Sequence, residues 1–215
     1  MPRIDPFFTC QPPLTFIDDL KKPLYCEKPG NYGTRTRKTD EIDASGIYIA
    51  TACLDPLLET AWESFRRFAA VYEIAGDKYP VSVQCTETEK PESWRVLIEE
   101  DGITVTGDRE GIRRALVWLE DQFRRSEAPY LPAGTIERHA VIRSRITRCF
   151  FSPINRPPKF GDELSDDIDY YPEEYLNRLM HDGANGIWIY TRFSDLVESS
   201  FVSGWGRTGN FVLRN

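Results

Sequence analysis

Two short apolar, β-branched runs, Trp94 to Ile98 and Ile103 to Thr106, flank Glu99-Glu100-Asp101-Gly102, and Gly107-Asp108 then leads straight into a helix-period pattern. The runs read as strands, and Asp101-Gly102 is a tight-hairpin signal, so the two are predicted to be antiparallel neighbours. Asp108 is the predicted N-cap of a helix that carries Ile112, Leu116, Leu119 and Phe123 on one stripe, with Gly111 in its first turn. Arg124 and Arg125 fall in its last turn, at the negative end of the helix dipole. A hairpin running directly into an amphipathic helix leaves one apolar stripe and one apolar sheet face, and each must bury the other.

Upstream the pattern repeats. Ile47-Tyr48-Ile49-Ala50-Thr51-Ala52 reads as a strand, and Asp55-Pro56 with Glu59 opens a helix that Gly76 is predicted to stop. Leu58, Trp62, Phe65, Phe68 or Ala69, and Tyr72 share its core-facing stripe, and Val81 to Cys85 supplies a further strand. The order strand, helix, three strands, helix predicts an α/β (α+β) sandwich over residues 46–135, with a mostly antiparallel sheet and helices on one face. Residues 1–45 hold Pro2, Pro6, Pro12, Pro13, Pro23 and Pro29 and read as a coil arm. Its Phe7, Phe8, Leu14, Phe16, Ile17, Leu20, Leu24 and Tyr25 are too apolar for a free linker. The arm is expected to lie across a folded surface, of this chain or of a neighbouring subunit.

With 40% hydrophobic and 28% charged residues the chain belongs among globular proteins. A dispersed net charge of -7 argues against a nucleic-acid partner. No apolar run reaches the ~18 residues of a membrane span, and Met1 to Phe8 lacks the pattern of a leader, so a cytoplasmic location is expected, or a secreted one if a leader was removed. Cys10, Cys26, Cys53, Cys85 and Cys149 form no C-x-x-C pair, and Cys53, Cys85 and Cys149 are expected to be buried free thiols. There is no G-x-S-x-G, no phosphate-binding glycine run, and only two histidines, His139 and His181. No cofactor and no metal are expected.

The segment Trp94 to Ile98, Gly102 to Asp108, Glu110-Gly111-Ile112 and Leu116 to Leu119 resembles the small domain before the barrel of family 20 glycoside hydrolases. The pattern there is a strand, D-G-I-x-I-x-G, one or two polar residues, a glycine, and an A-x-x-x-L helix. A similar domain precedes the barrel of α-glucuronidases, so the resemblance concerns the module more than the substrate. It implies a scaffold bracing a catalytic (β/α)₈ barrel that acts on carbohydrate, with residues 136–201 as the barrel's start.

Within that second stretch, Arg148 and Arg156 keep the separation of the family's R-G-x-x-x-D-x-x-R signature, with Cys149 and Pro153 replacing its glycine and aspartate. By resemblance Arg156 grips sugar hydroxyls at the barrel mouth; the other reading is a surface arginine before Pro157-Pro158. Pro172-Glu173-Glu174 opens a helix with Tyr175, Leu176, Leu179 and Met180 on one face, and Asp182-Gly183 ends it. Asn185 to Thr191 then reads as a buried parallel strand, so strand, helix, strand matches a barrel opening. This passage resembles the family's K-x-N, strand, H-x-H-x-x-D, with Tyr190 and Phe193 in place of a histidine and the aspartate. Trp188 either stacks on a sugar ring or packs between strands. The acidic run Asp162, Glu163, Asp166, Asp167 and Asp169 lacks calcium-loop order and reads as a solvated loop.

Arg148, Arg156 and Trp188 are thus the candidate substrate-binding residues, and no residue is a candidate catalytic acid or base. By resemblance the acidic pair lies at the end of the fourth barrel strand. A barrel takes about 250 residues, and only roughly seventy follow Val141. Residues 202–215 show three glycines and no periodicity, so truncation near Phe201, as a cloned fragment or through a frame change, is expected. The two function classes are a hexosaminidase-like or α-glucuronidase-like glycosidase fragment and a non-catalytic glycan-binding or assembly module. A truncated barrel also predicts a homodimer that covers open strand edges.

Overall fold

The computed structural model describes residues 16–51, 55–148 and 169–188. In chain order the elements are α1 (Phe16–Leu20), β1 (Glu41–Asp43), β2 (Ile47–Ile49), α2 (Pro56–Val71), β3 (Tyr79–Cys85), β4 (Trp94–Glu99) and β5 (Gly102–Gly107). There follow α3 (Arg109–Ser126), β6 (Tyr130–Pro132), β7 (Gly134–Arg138), β8 (Ile146–Arg148), α4 (Glu173–His181) and β9 (Gly186–Trp188). They fall into two units, Tyr25–Arg143 and a second that joins the residues before Tyr25 to those after Arg143.

The first unit is an α/β sandwich. Its five-stranded sheet has the order β2-β3-β5-β4-β7. Alternation buries Tyr79, Val81 and Val83 on β3, Trp94, Val96 and Ile98 on β4, and Ile103 and Val105 on β5. The stripes of α2 (Leu58, Trp62, Phe65, Phe68) and α3 (Ile112, Leu116, Leu119, Phe123) cover that face, and the Phe68 and Phe123 rings meet at 6.0 Å. Each fully buried Phe or Leu contributes on the order of 1.5–3 kcal/mol, so these two stripes dominate the unit's stability.

The sheet is more mixed than the hairpin pattern alone suggests. β5-β4-β7 is antiparallel, whereas β2, β3 and β5 run parallel, because α2 carries the chain back between β2 and β3. The hairpin turn is Glu100-Asp101 and not Asp101-Gly102: Glu99 pairs with Gly102, which already belongs to β5. Gly102 is needed for a different reason, with φ +152 and a site for Cβ only 2.8 Å from the Pro80 carbonyl oxygen of β3. Similarly α2 ends at Val71 with Tyr72 as its cap and Glu73 in the left-handed region. Gly76 serves instead to approach Gly46, whose Cα lies 2.6 Å from where a Cβ on Gly76 would stand.

Two boundaries shift. Residues 41–43 are no coil, since β1 pairs antiparallel with β6 and Arg35 grips Glu41 through its two terminal guanidinium nitrogens at 2.8 and 2.9 Å. That fork, with the Lys38 backbone N–H, pulls the Glu41 carboxyl down to about 2. Residues 136–138, read as leading into a barrel, lie in β7, the edge strand hydrogen-bonded to β4. The arm's Tyr25 and Tyr32 are buried against Phe68 and Tyr72, so this part does cover a folded surface of its own chain. Cys85 is exposed and not buried, because the last two residues of β3 run beyond the helix cover; Cys26 is exposed too. Cys10, Cys53 and Cys149 lie outside the described residues.

The motif Gly107-Asp108-x-x-Gly111 has a visible cause. A Cβ on Gly107 would sit 2.4 Å, and one on Gly111 2.1 Å, from the Ser93 carbonyl oxygen, so only glycine lets the β3–β4 loop nest against the strand end and the first helical turn. Asp108 closes the nest: its carboxylate accepts from the Gly111 N–H at 2.7 Å, the Ser93 N–H at 3.0 Å and the Thr88 hydroxyl at 2.6 Å. Removing that carboxylate with Asp108→Ala is expected to lower stability by about 2 kcal/mol, at the upper end for an N-cap because two loop contacts go with it. Urea unfolding checks this; a change within about 0.5 kcal/mol would place the loop's anchorage elsewhere.

In the second unit β8 and β9 pair in parallel, and α4 precedes β9 as its spacing predicts. Arg178 of α4 donates to the Asp19 and Leu20 carbonyl oxygens at 2.7 and 2.8 Å and so fastens α1. Among the described residues no helix is long and apolar enough to cross a membrane.

Candidate functional site

Parallel pairing in register brings the carboxyl ends of β8 and β9 together. Ile146 faces Gly186, Thr147 faces Ile187, and Arg148 faces Trp188. The register is set one residue earlier by a reciprocal clasp: the Arg145 N–H donates to Asn185 Oδ1 at 2.8 Å and the Asn185 N–H to the Arg145 carbonyl oxygen at 2.9 Å. The Arg145 guanidinium also donates to the Gly183 carbonyl oxygen at 2.6 Å, at the end of α4, where Gly183 takes φ +98. Asn185, in the family's asparagine position by resemblance, is therefore a structural clamp between strand and turn.

At the far end of this ladder the Arg148 guanidinium carbon stands 5.5 Å from the centre of the Trp188 ring, within cation–π range. Trp188 is 49% exposed. The expected buried strand is thus parallel but open to solvent on this side. A flat apolar face beside a fork of hydrogen-bond donors suits a ring with C–H groups on its faces and hydroxyls on its rim. Neither group can activate water. Among the described residues no cluster of three His, Cys, Asp or Glu is arranged to hold a metal ion.

Two of the three sequence-derived site residues, Arg148 and Trp188, are brought together, and Arg156 lies outside the described residues. So do Tyr190, Phe193 and the acidic run through residue 168, while the Asp169 carboxylate accepts the Tyr171 N–H at 3.0 Å in a local turn. His181 is the last residue of α4. A buried carboxyl in the first unit, Glu120, escapes the sequence reading although the signal is present: it lies four residues after Leu116, on the core stripe of α3.

No family model matches the sequence, and no curated protein matches it. Among solved structures, a GH138 enzyme targeting pectin rhamnogalacturonan II matches 66% of this chain at 16% identity and TM-score 0.47. The GH20 exo-β-N-acetylglucosaminidase of Vibrio harveyi matches 75% at 16% identity and TM-score 0.43. The GH20 β-N-acetylhexosaminidase of Streptomyces coelicolor A3(2) matches 68% at 14% identity and TM-score 0.42. The chain is similar to parts of glycoside hydrolases. It spans 18%, 24% and 30% of those three proteins, and at such TM-scores the likeness carries no argument about its chemistry.

Proposed function

We propose that this chain is a carbohydrate-active module of the glycoside hydrolase kind. In this reading the Tyr25–Arg143 unit is a non-catalytic brace, β8-α4-β9 opens a β/α barrel, and Arg148 with Trp188 meets a sugar at the strand ends. The single observation that carries it is the half-exposed Trp188 ring under the Arg148 guanidinium at the carboxyl ends of two parallel strands. In β/α barrels that end of the strands is where substrates bind. The G-D-x-x-G nest against Ser93 gives the motif that resembles family 20 a structural purpose, which supports the brace.

Glycoside hydrolysis normally uses carboxyl groups placed at the scissile bond. Neither Arg148 nor Trp188 offers one, so binding and not cleavage is the activity assigned to this pair. Calorimetric titration with N-acetylglucosamine oligosaccharides tests the proposal. Trp188→Ala is expected to weaken binding about tenfold, the ~1.4 kcal/mol that losing one stacked ring face represents. Equal affinity in the variant would remove Trp188 from the site.

A further inference from the structure

A concavity lies in the first unit, far in sequence from Arg148 and Trp188. It is a cleft of about 480 Å³, lined among others by Lys90, Arg95, Thr106, Glu137, Arg138 and His139. This volume falls in the range of small-molecule sites. Its walls are held from both sides. Asp108 anchors the β3–β4 loop through Thr88 and Ser93, and the Ala140 N–H donates to the Pro91 carbonyl oxygen at 3.0 Å, tying the chain beyond β7 to the same loop. The cleft takes in the open sheet face, where Thr106, Arg95 and Glu137 stand side by side on β5, β4 and β7, and the adjoining strand ends, where Arg138 pairs in register with Trp94.

The charge in this cleft runs against the rest of the molecule. The chain as a whole has 34 acidic and 27 basic residues, yet Glu137 is the only carboxylate among the lining residues, against Lys90, Arg95 and Arg138. Glu137 is ion-paired with Arg95. Lys90 and Arg138 take part in no ion pair among the described residues, and the His139 side chain has no partner there. Asp108 is committed to the loop and Glu92 to Arg114 at 3.2 Å, while Glu87 and Glu89 alternate with the lining residues Thr86, Thr88 and Lys90 along the β3–β4 loop. Trp94 is buried on the helix side and stacks on Trp118, so the cleft offers no exposed aromatic platform. Its chemistry is that of uncommitted cationic donors with hydroxyls beside them, which selects an oxyanion.

We propose that this cleft binds a small molecule bearing a carboxylate or a phosphate group, held by Lys90 and Arg138 with His139 at the rim. The inference stands apart from the sugar site at Arg148 and Trp188 and does not depend on it. The test titrates the full chain, at low ionic strength, with D-glucuronate, D-glucose 6-phosphate, inorganic phosphate and neutral D-glucose, following backbone amide shifts. Saturable shifts at residues 86–95 and 137–139 are expected with at least one anion and not with glucose. A response to glucuronate alone identifies a sugar carboxylate; a response to both phosphates identifies the phosphate group.

The surface variant Lys90→Gln/Arg138→Gln is expected to weaken that binding about tenfold, and Trp188→Ala to leave it unchanged. Raising the salt to about 0.5 M should weaken it as well, as screening requires. No response to any of the three anions, an equal response to glucose, or undiminished binding by the double variant would each overturn the proposal.

Discussion

Raising the pH from about 4.5 to about 8 is expected to destabilise the Tyr25–Arg143 unit, by up to about 5 kcal/mol, because one carboxyl in its core must stay protonated to stay buried. Glu120 is 1% exposed and accepts a hydrogen bond from the Tyr25 hydroxyl at 2.7 Å. Burial pushes its carboxyl from 4.5 up to about 8, with the Tyr25 bond and Arg124 pulling down and the Asp121 charge pushing up. The Tyr25 phenol is raised too, by burial first and then by the Glu120 charge, so the pair favours its fully protonated form.

The sign follows from proton counting. Above 4.5 the unfolded chain releases the Glu120 proton while the folded chain keeps it until about 8, so stability falls across that window and is level outside it. Glu41 acts in the opposite direction: its depressed carboxyl contributes stability that is present above 4.5 and is lost as the pH drops through about 2. Urea unfolding at pH 4.5, 6 and 8 checks this. Glu120→Gln retains an acceptor for Tyr25 without an ionisable proton, and it should flatten the decline and exceed the wild type in stability at pH 8. Parallel pH profiles for the two proteins would show that Glu120 is not the group responsible.

The second large effect is expected from Gly111→Ala. On an open helix surface that change adds roughly 1 kcal/mol of stability, since alanine is the better helix former. Here the new Cβ would stand 2.1 Å from the Ser93 carbonyl oxygen and 2.6 Å from its carbon. The loop cannot simply withdraw, because the same oxygen accepts the Asp108 N–H at 3.1 Å and Asp108 holds the Ser93 N–H in return. The sign therefore reverses, and a loss of about 3 kcal/mol or more is expected, at or beyond the top of the overpacking range. Gly30→Ala is the matched control: nothing lies within 4 Å of its Cβ position, so its effect should stay within about 0.5 kcal/mol. Comparable midpoints for the two variants would contradict the nest.

What the sequence makes legible here is local. Asp55 and Asp108 cap their helices, the 94–106 hairpin forms, and the α2 and α3 stripes are the core, because each signal lies within a few residues of its consequence. What it hides is separated along the chain. Tyr25 meets Glu120 across 95 residues, β1 finds β6, and β7 joins β4 in place of entering the next unit. Glycines carry a third kind of ambiguity: in the sequence Gly76 and Gly102 read as stop and turn, and both are close approaches between backbones. Arg148 and Trp188 are each visible through a resemblance, but their adjacency depends on a strand register that the Arg145–Asn185 clasp sets.

That adjacency is also where the functional reading is most exposed to test. The most direct measurement follows the Trp188 indole N–H signal of the isotopically labelled chain during titration with an N-acetylglucosamine oligosaccharide. The account expects a saturable shift of that signal which Arg148→Ala weakens markedly. An unmoved Trp188 signal at millimolar sugar would contradict it, as would a shift of equal size and affinity in the arginine variant.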